Sequence, residues 1–155
     1  MTDKRSAGLL LFRDAAGTVE VLLGHMGGPL WARREAGAWS IPKGEYETDE
    51  APMDAARREF EEELGLPAPT GPYLPLGEVR QAGGKTVTVW AVRADLDPES
   101  AVPGTFTMEW PRGSGRIQEF PELDRAAWWP LDTAAGKLVK AQAAFLPRLA
   151  EALAG

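Results

Sequence analysis

The segment spanning residues 45–63 concentrates acidic side chains that could bind a cation or take part in catalysis. It holds nine acidic residues and two basic ones, a local formal charge of −7, whereas the whole 155-residue chain is at −6 and the remainder is therefore at +1. Carboxylates at this density repel one another unless a helix spreads them around its circumference or cations neutralise part of their charge. A solvated acidic helix is the simplest interpretation of such a run. The spacing of the glutamates argues for a cation site instead.

The helix that carries these glutamates is predicted over residues 51–64. Thr48 or Asp49 can cap its start, and Pro52 falls in the first turn, where a missing amide donor costs little. Gly65 follows the last helical position, where a left-handed residue closes many helices. The sequence therefore predicts both ends of the helix.

Glu59, Glu62 and Glu63 share one side of this predicted helix. At about 100° per residue they fall within an arc of about 100°, and an apolar stripe adjoins them. The stripe consists of Met53, Ala56, Phe60 and Leu64. Such a helix can bury one side while holding three carboxylates at its edge, and magnesium prefers oxygen ligands of this kind.

The same glutamates belong to a longer pattern with fixed spacing. Gly44 is followed after five residues by Glu50, and after seven more by a run of nine residues. That run reads Arg58-Glu59-Phe60-Glu61-Glu62-Glu63-Leu64-Gly65-Leu66. The pattern resembles the Nudix box, G-x5-E-x7-R-E-U-x-E-E-x-G-U with U a bulky apolar residue, at all nine specified positions across 23 residues. Residues 39–43, Trp-Ser-Ile-Pro-Lys, are similar to the family's usual lead-in.

The resemblance implies a divalent metal site built on the predicted helix. In similar enzymes the glutamates that match Glu59, Glu62 and Glu63 bind magnesium, for which manganese can substitute. A backbone carbonyl at Lys43 or Gly44 adds a ligand, and Gly44 is also expected to be needed for its backbone conformation. A metal ion lowers the pKa of a bound water, neutralises phosphate oxygens and orients attack on phosphorus.

The resemblance also implies catalytic roles for Glu59, Glu62 and Arg58. One glutamate of the box, or another outside it, serves as general base. Arg58 lies one helical turn from Asp54 and Glu62, and in the family it orients box glutamates through ion pairs. A surface salt bridge of little energetic worth is the alternative for this arginine. Glu50 lies near the helix start, where negative charge is favoured, and is expected to support the structure rather than bind metal.

Basic side chains are expected near the metal because a diphosphate brings several negative charges. Arg34, Lys43, Arg80 and Lys85 fall in or beside segments that the family folds around its site. For any one of them, a solubilising surface charge is the simpler interpretation. Residues 85–90, Lys-Thr-Val-Thr-Val-Trp, are similar to a lysine-led strand in relatives that cleave dinucleoside polyphosphates or inositol pyrophosphates.

Three acidic residues that precede Trp128 form a second group of candidates. Glu119, Glu122 and Asp124 stand where many relatives have an acidic residue. The resemblance implies that one of them binds metal or acts as the base, and it does not choose among the three.

The function implied is that of a metal-dependent pyrophosphohydrolase acting on a nucleoside diphosphate linked to another group. Dinucleoside polyphosphates or nucleoside triphosphates are the expected substrates, and inositol pyrophosphates are an alternative. A second class of Nudix domains senses nucleotides without hydrolysis, but those domains often have a damaged box, and this one is intact. Isomerisation of isopentenyl diphosphate, a third class, needs a catalytic cysteine, and the chain has none.

Short apolar segments on both sides of the helix predict the fold class. Strands are expected over residues 7–12, 19–25, 77–81, 85–93, 105–110 and 126–129, with turns at 14–17 and 83–84 and an amphipathic helix over 137–153. Strands flanking a central helix indicate an α/β (α+β) sandwich. The resemblance implies the Nudix fold, a mixed central sheet with flanking helices. Residues 1–155 are expected to form one domain.

Composition indicates the setting in which the protein works. The absence of cysteine excludes disulfides, zinc-thiolate sites and cysteine nucleophiles. The apolar run over residues 7–12 is far shorter than the roughly 20 residues that span a bilayer. We therefore expect a cytoplasmic protein with a nucleotide-like small-molecule substrate and with no nucleic-acid or membrane partner. Many relatives are dimers, so a homodimer is one expected assembly.

Overall fold

A computed structural model describes residues 4–155, and strands make up most of the regular structure in that range. The strands are β1 (Arg5–Ala15), β2 (Thr18–Met26), β3 (Trp39–Ser40), β4 (Lys43–Glu45), β5 (Tyr73–Arg80), β6 (Thr86–Arg93), β7 (Thr105–Glu109), β8 (Ile117–Pro121) and β9 (Leu123–Pro130). All six predicted strands are confirmed. The short strands β3 and β4 and the strand β8 were not predicted, because segments of two to five residues carry little periodicity of their own.

Seven of these strands form one mixed sheet in the order β3-β2-β1-β6-β5, with β4 paired to β1 and β9 paired to β2. The central strand β1 runs parallel to β6 and antiparallel to β2 and β4. Strands β7 and β8 form a separate two-stranded sheet. The predicted α/β sandwich with a mixed sheet is confirmed.

Helix α1 (Pro52–Leu64) agrees with the helix predicted over residues 51–64, but its start is capped differently. Ala51 is the N-cap residue and offers no side-chain hydrogen bond, so the predicted capping by Thr48 or Asp49 is wrong. The ring of Pro52 disfavours a helical conformation at the residue before it, which fixes the boundary at Ala51. At the other end Gly65 has φ 64° and donates its amide to the carbonyl of Glu61, as predicted.

The single closing helix predicted over residues 137–153 is wrong. The chain forms α2 (Leu131–Lys137), a 3-10 turn at Lys140–Ala144, and α3 (Phe145–Ala154). Leu138 and Val139 are extended between them, and the amide of Val139 donates to the carbonyl of Trp39 at 2.9 Å. This pairing with a buried strand outweighs the helical periodicity of the segment. None of the helices within residues 4–155 is long and apolar enough to cross a membrane.

Helices cover both faces of the sheet, and β1 is buried on both sides. On one face α1 packs its apolar side, including Phe60, against Leu9 and Leu11. On the other face Phe145 and other residues of the C-terminal helices pack against the face of β1 that presents Leu10. Near-continuous apolar strands are typical of sheets covered on both faces. The packing of α1 fixes which of its sides remains free for chemistry.

Candidate active site

The acidic side of α1 opens onto a cavity of about 380 Å³. Its lining comes from elements far apart in the sequence, namely β1, β4, α1, the start of β7 and the loops that precede β6, β7 and β9. The lining residues are Ser6, Lys43, Gly44, Glu45, Glu59, Glu62, Glu63, Lys85, Gly104, Thr105 and Glu122. All five metal candidates and two of the four substrate candidates predicted from the sequence are in this set.

Burial of one side of α1 aims its glutamates at the cavity. Ala55, Ala56, Phe60 and Leu64 are buried against the sheet. Met53, predicted to share this stripe, is only half-buried. Glu61 lies on the exposed side, and its carboxylate accepts a hydrogen bond from the amide of Ala68 at 2.9 Å. Glu61 therefore stabilises the turn after the helix and takes no part in the cavity.

Arg58 connects the acidic residues around the helix. Its Nε and Nη2 donate to the two carboxylate oxygens of Glu50 at 2.9 and 2.8 Å. Its Nη1 donates to Glu59 at 2.8 Å and to Glu62 at 3.2 Å. The hydrogen bond with Glu50 is the main cause that raises the pKa of Arg58 and lowers the pKa of Glu50. The two-point contact with Glu50 fixes the guanidinium, which then holds Glu59 and Glu62 beside the cavity.

Gly44 is required for space rather than for its backbone conformation. Its φ is not positive, so the conformational role predicted for it is wrong. A Cβ atom added at this position would lie 2.0 Å from Oε1 of Glu59. Any side chain at residue 44 would therefore displace the carboxylate of Glu59 from its place against the backbone of β4.

Glu63 is the most perturbed carboxylate of the cavity. Its Oε2 is buried and has no hydrogen-bond partner among the described residues. Burial, followed by the negative charge of Glu122, raises the pKa of Glu63 to about 7. Burial also raises the pKa of Glu59. The cavity thus holds carboxyl groups whose charge the protein alone does not fully compensate.

Among the three acidic candidates near β9, Glu122 alone lines the cavity. Glu119 instead accepts a hydrogen bond from the hydroxyl of Thr105 at 3.1 Å. Asp124 lies 2.9 Å from Nδ1 of the buried His25. Glu122 lies in the turn between β8 and β9, whereas Asp124 lies inside β9, where the pairing with β2 shifts register, so only the fold selects Glu122.

Two of the four predicted basic residues reach the cavity, and two do not. Lys43 and Lys85 line it, and Nζ of Lys85 lies 3.1 Å from the carboxylate of Glu45. Burial, together with the charge of Lys85, lowers the pKa of Lys43. Arg34 is exposed, with its guanidinium 5.3 Å from the ring of Trp31, and Arg80 is exposed at the end of β5. Arg34 and Arg80 do not line this cavity, and their predicted role in binding phosphate stays a prediction.

A second cavity of about 220 Å³ adjoins the first and shares Lys43, Glu63 and Glu122 with it. It adds Trp31 and Phe106, two half-buried aromatic side chains from the loop after β2 and from β7. The apolar residues Met26, Ile41, Pro42 and Leu123 complete much of its lining. One continuous site thus combines a charged chamber with an aromatic one.

The cavity offers the donors that a hard divalent cation prefers, namely carboxylate oxygens, and the buried Oε2 of Glu63 has no other partner in the described chain. Within residues 4–155, no three acidic or histidine side chains already surround a single point at metal-binding distance. Arg58 holds the carboxylates of Glu59 and Glu62 instead. The residues fit a metal site by their chemistry, and binding requires rotation of these side chains.

Several lining residues of the combined site were not predicted from the sequence, and Ser6, Trp31 and Phe106 are the ones with chemistry of their own to offer. None of them belongs to the box or carries a spacing signal. Only the proximity of Trp31 to the lead-in at residues 39–43 hinted at a role, because the loop after β2 returns to the sheet through β3.

A family model for the NUDIX domain matches residues 2–149. The chain belongs to this family. Nudix hydrolases generally need divalent metal ions, which agrees with the carboxylate lining of the cavity.

Curated Nudix relatives share part of their length with this chain. An 8-oxo-(d)GTP phosphatase of Mycolicibacterium smegmatis is 30% identical over 146 residues, which cover 86% of this chain and 37% of that protein. An RNA pyrophosphohydrolase of Cellvibrio japonicus is 44% identical over 57 residues, which cover 36% of this chain and 32% of that protein. The chain thus spans about a third of the length of the curated relatives it matches.

Solved Nudix structures share the whole fold with this chain. A complex of an Ap4A hydrolase from C. elegans superposes with a TM-score of 0.66 at 22% identity over 98% of both chains. The NUDIX domain of NrtR from Shewanella oneidensis, complexed with ADP ribose, gives 0.66 at 16% identity over 99% of this chain and 90% of that one. A Nudix hydrolase from M. smegmatis gives 0.59 at 29% identity over 96% and 84%. These likenesses confirm the predicted Nudix fold.

Proposed function

We propose that this protein is a divalent-metal-dependent pyrophosphohydrolase that cleaves a phosphoanhydride bond in a nucleotide. The observation that carries the proposal is the convergence of Glu59, Glu62, Glu63 and Glu122 with Lys43 and Lys85 in one cavity. Carboxylates bind hard cations and ammonium groups bind phosphate, so this combination suits a metal-complexed diphosphate. The names of the curated relatives, a nucleotide phosphatase and RNA pyrophosphohydrolases, support the same class of reaction.

Magnesium is the proposed cation, with manganese able to substitute. Glu59, Glu62 and Glu63 would hold it, with a backbone carbonyl of Lys43 or Gly44. Once bound, a divalent cation neutralises phosphate charge and acidifies water. Its charge would also stabilise the ionised form of Glu63, whose pKa is raised to about 7 by burial and then by the charge of Glu122.

Other side chains of the cavity bind the phosphate, position the glutamates and accept the proton. Lys43 and Lys85 bind the phosphate oxygens and hold the diphosphate against the carboxylates. Arg58 keeps Glu59 and Glu62 in position through its ion pairs. We assign the general base to Glu122, which lines the cavity close enough to Glu63 for its charge to raise the pKa of that residue. It accepts a proton from the attacking water as the water oxygen bonds to phosphorus and the anhydride bond breaks.

The adjoining cavity supports a nucleotide as the substrate rather than an inositol pyrophosphate. Trp31 and Phe106 offer aromatic surfaces next to the charged chamber. A purine or pyrimidine stacks on such surfaces, whereas an inositol ring has no π face. Dinucleoside polyphosphates and nucleoside triphosphates are therefore the proposed substrates, with no role for a nucleic-acid strand.

A panel of substrates tests this proposal. The purified protein with magnesium is given diadenosine polyphosphates, nucleoside triphosphates, an inositol pyrophosphate and a 5′-triphosphorylated RNA, and the released phosphate and pyrophosphate are measured. We expect turnover of the first two classes and loss of activity in excess chelator. Nucleotide binding without turnover of any compound would favour a sensor over an enzyme. Preferential turnover of the inositol compound or the RNA would contradict the substrate assignment.

The aromatic chamber has its own test. Replacing Trp31 by leucine should raise KM for a nucleotide about tenfold, because a stacking surface is lost. The affinity for inorganic pyrophosphate, which has no base, should stay at the wild-type value. Equal losses for both ligands would contradict the placement of the base beside Trp31.

A further inference from the structure

Ser6 presents an unusual feature in the charged cavity. The residue lies in β1 and is 0% exposed, and its Oγ has no hydrogen-bond partner among the described residues. It also lines the cavity together with Lys43 and Lys85. A buried hydroxyl without a partner is unfavourable for folding, so its retention calls for an explanation.

Burial alone does not leave a serine unbonded in this protein. Ser40 is also buried, yet its hydroxyl donates to the carbonyl of Ile41 at 2.8 Å and accepts from the amide of Gln142 at 3.1 Å. The fold therefore satisfies this buried serine hydroxyl, although Ser40 also lines the adjoining aromatic cavity. The hydroxyl of Ser6 differs because it has no partner among the described residues and lines the charged cavity with Lys43 and Lys85.

Strand pairing places Ser6 beside the two lysines of the cavity. Ser6 is opposite Glu45 across the antiparallel pair of β1 and β4, and Gly8 is opposite Lys43. Directly opposed residues share a face of a sheet, so Ser6 and Lys43 lie on the same face. Lys85 reaches this face through its ion pair with Glu45. A hydroxyl and two ammonium groups thus meet in one cavity, and all of them can donate to an anion.

We infer that Ser6 is a substrate-binding residue whose hydroxyl donates a hydrogen bond to a phosphate oxygen held by Lys43 and Lys85. The inference deepens the proposed function and rests on its placement of the diphosphate in this cavity. Phosphate oxygens are strong acceptors, and a hydrogen bond to an ionised acceptor is stronger than one between neutral groups. The bond that the free protein leaves unmade is then made by the substrate.

The substitution Ser6→Ala separates this role from a structural one. Within residues 4–155 the hydroxyl of Ser6 has no hydrogen bond to lose, so the thermal unfolding temperature of the variant should stay equal to that of the wild type or rise. Titration calorimetry with inorganic pyrophosphate and magnesium should show an affinity about 5- to 20-fold weaker, and KM for a hydrolysed nucleotide should rise by a similar factor.

Two further serines serve as matched controls. Ser40→Ala should lower the unfolding temperature, because it removes a hydroxyl that is bonded on both sides. Ser100→Ala removes an exposed hydroxyl bonded to the carbonyl of Asp97, and should leave the pyrophosphate affinity unchanged.

The inference is overturned if Ser6→Ala binds pyrophosphate as tightly as the wild type, if it lowers the unfolding temperature as much as Ser40→Ala, or if the wild type binds no pyrophosphate. The proposed function fails separately. A wild type that binds pyrophosphate and hydrolyses no substrate refutes hydrolysis, and weaker pyrophosphate binding by Ser6→Ala would still support the role of Ser6.

Discussion

Two groups of buried polar side chains in this protein differ in how completely they are hydrogen-bonded. The anchor group consists of His25 and Gln142 with their partners. The amide oxygen of Gln142 accepts from the backbone amide of Ile41 at 2.9 Å, and its amide nitrogen donates to Ser40 at 3.1 Å and to Gln81 at 2.9 Å. The cavity group surrounds the charged chamber, and there Glu63 and Ser6 each leave a buried oxygen without a partner in the described part of the chain.

His25 shows how complete the bonding of the anchor group is. Its Nδ1 lies 2.9 Å from the carboxylate of Asp124, and its Nε2 lies 2.6 Å from the backbone carbonyl of Arg34. These contacts tie the loop that carries Trp31 to strand β9. Gln142 likewise fixes the backbone at Ile41, two residues before Lys43.

The completeness of hydrogen bonding distinguishes buried groups with a structural role from buried groups that can bind a ligand. A polar group that is buried and fully bonded stabilises the fold and specifies its geometry. Groups buried with bonds unmade weaken the fold and are available to a ligand. Substitutions in the anchor group should therefore reduce stability, whereas those in the cavity group should reduce activity and leave stability unchanged or higher.

The largest effect is expected from the cavity glutamates. Glu62→Gln and Glu63→Gln should each lower kcat about 10²- to 10⁴-fold, because each variant loses a carboxylate that would hold the cation. Glu61→Gln is the matched control on the same helix. Its side chain bonds the amide of Ala68 outside the cavity, so its activity should stay close to that of the wild type. Full activity of both cavity variants would refute the assignment of Glu62 and Glu63 to the active site.

Gln142→Leu should give the largest loss of stability. The variant leaves the buried amide of Ile41 without an acceptor and removes two further hydrogen bonds, a cost of about 2–4 kcal/mol in the free energy of unfolding. Denaturant titration measures it. Gln81→Ala, which removes one partner of Gln142, should cost less than half as much. An equally stable Gln142→Leu protein would remove the distinction between the two groups.

The stability of the metal-free protein should depend on pH through Glu63. Its pKa is raised to about 7 in the folded state, so the neutral carboxyl is favoured on folding. Stability from this group is present below the unfolded pKa of about 4.3 and is lost as pH rises through 7, by roughly 1–3 kcal/mol. In chelator, Glu63→Gln should therefore unfold at a higher temperature than the wild type at pH 8, with a smaller difference at pH 5. A difference that is the same at both pH values would contradict the shift.

The smallest effect concerns two basic residues that the sequence does not distinguish. Lys85→Ala should raise KM about tenfold, because a phosphate-binding charge leaves the cavity. Arg80→Ala should leave KM unchanged, because Arg80 is exposed at the end of β5. Steady-state kinetics on both variants decides the matter. Equal effects would show that the substrate extends to β5 or that Lys85 does not bind it.

Much of the fold could be predicted because the signals are local. The two strand pairs around residues 14–17 and 83–84 are confirmed as hairpins, with glycines at positive φ in both turns. Helix α1 was predicted to within one residue because a proline and a glycine limit its ends. The closing helix was predicted wrongly because the contact that breaks it, between Val139 and Trp39, joins residues far apart in the sequence.

The sequence by itself determined the acidic side of the site, since Glu62 and Glu63 follow Glu59 by three and four residues and a helix brings all three to one side. Only the tertiary structure decided what faces them. Ser6, Lys85 and Glu122 reach the same cavity through strand pairing and chain crossings that no local spacing encodes, while Arg80 points elsewhere. Helical periodicity is a property of neighbouring residues, whereas the choice of partner across a cavity depends on how the whole chain packs.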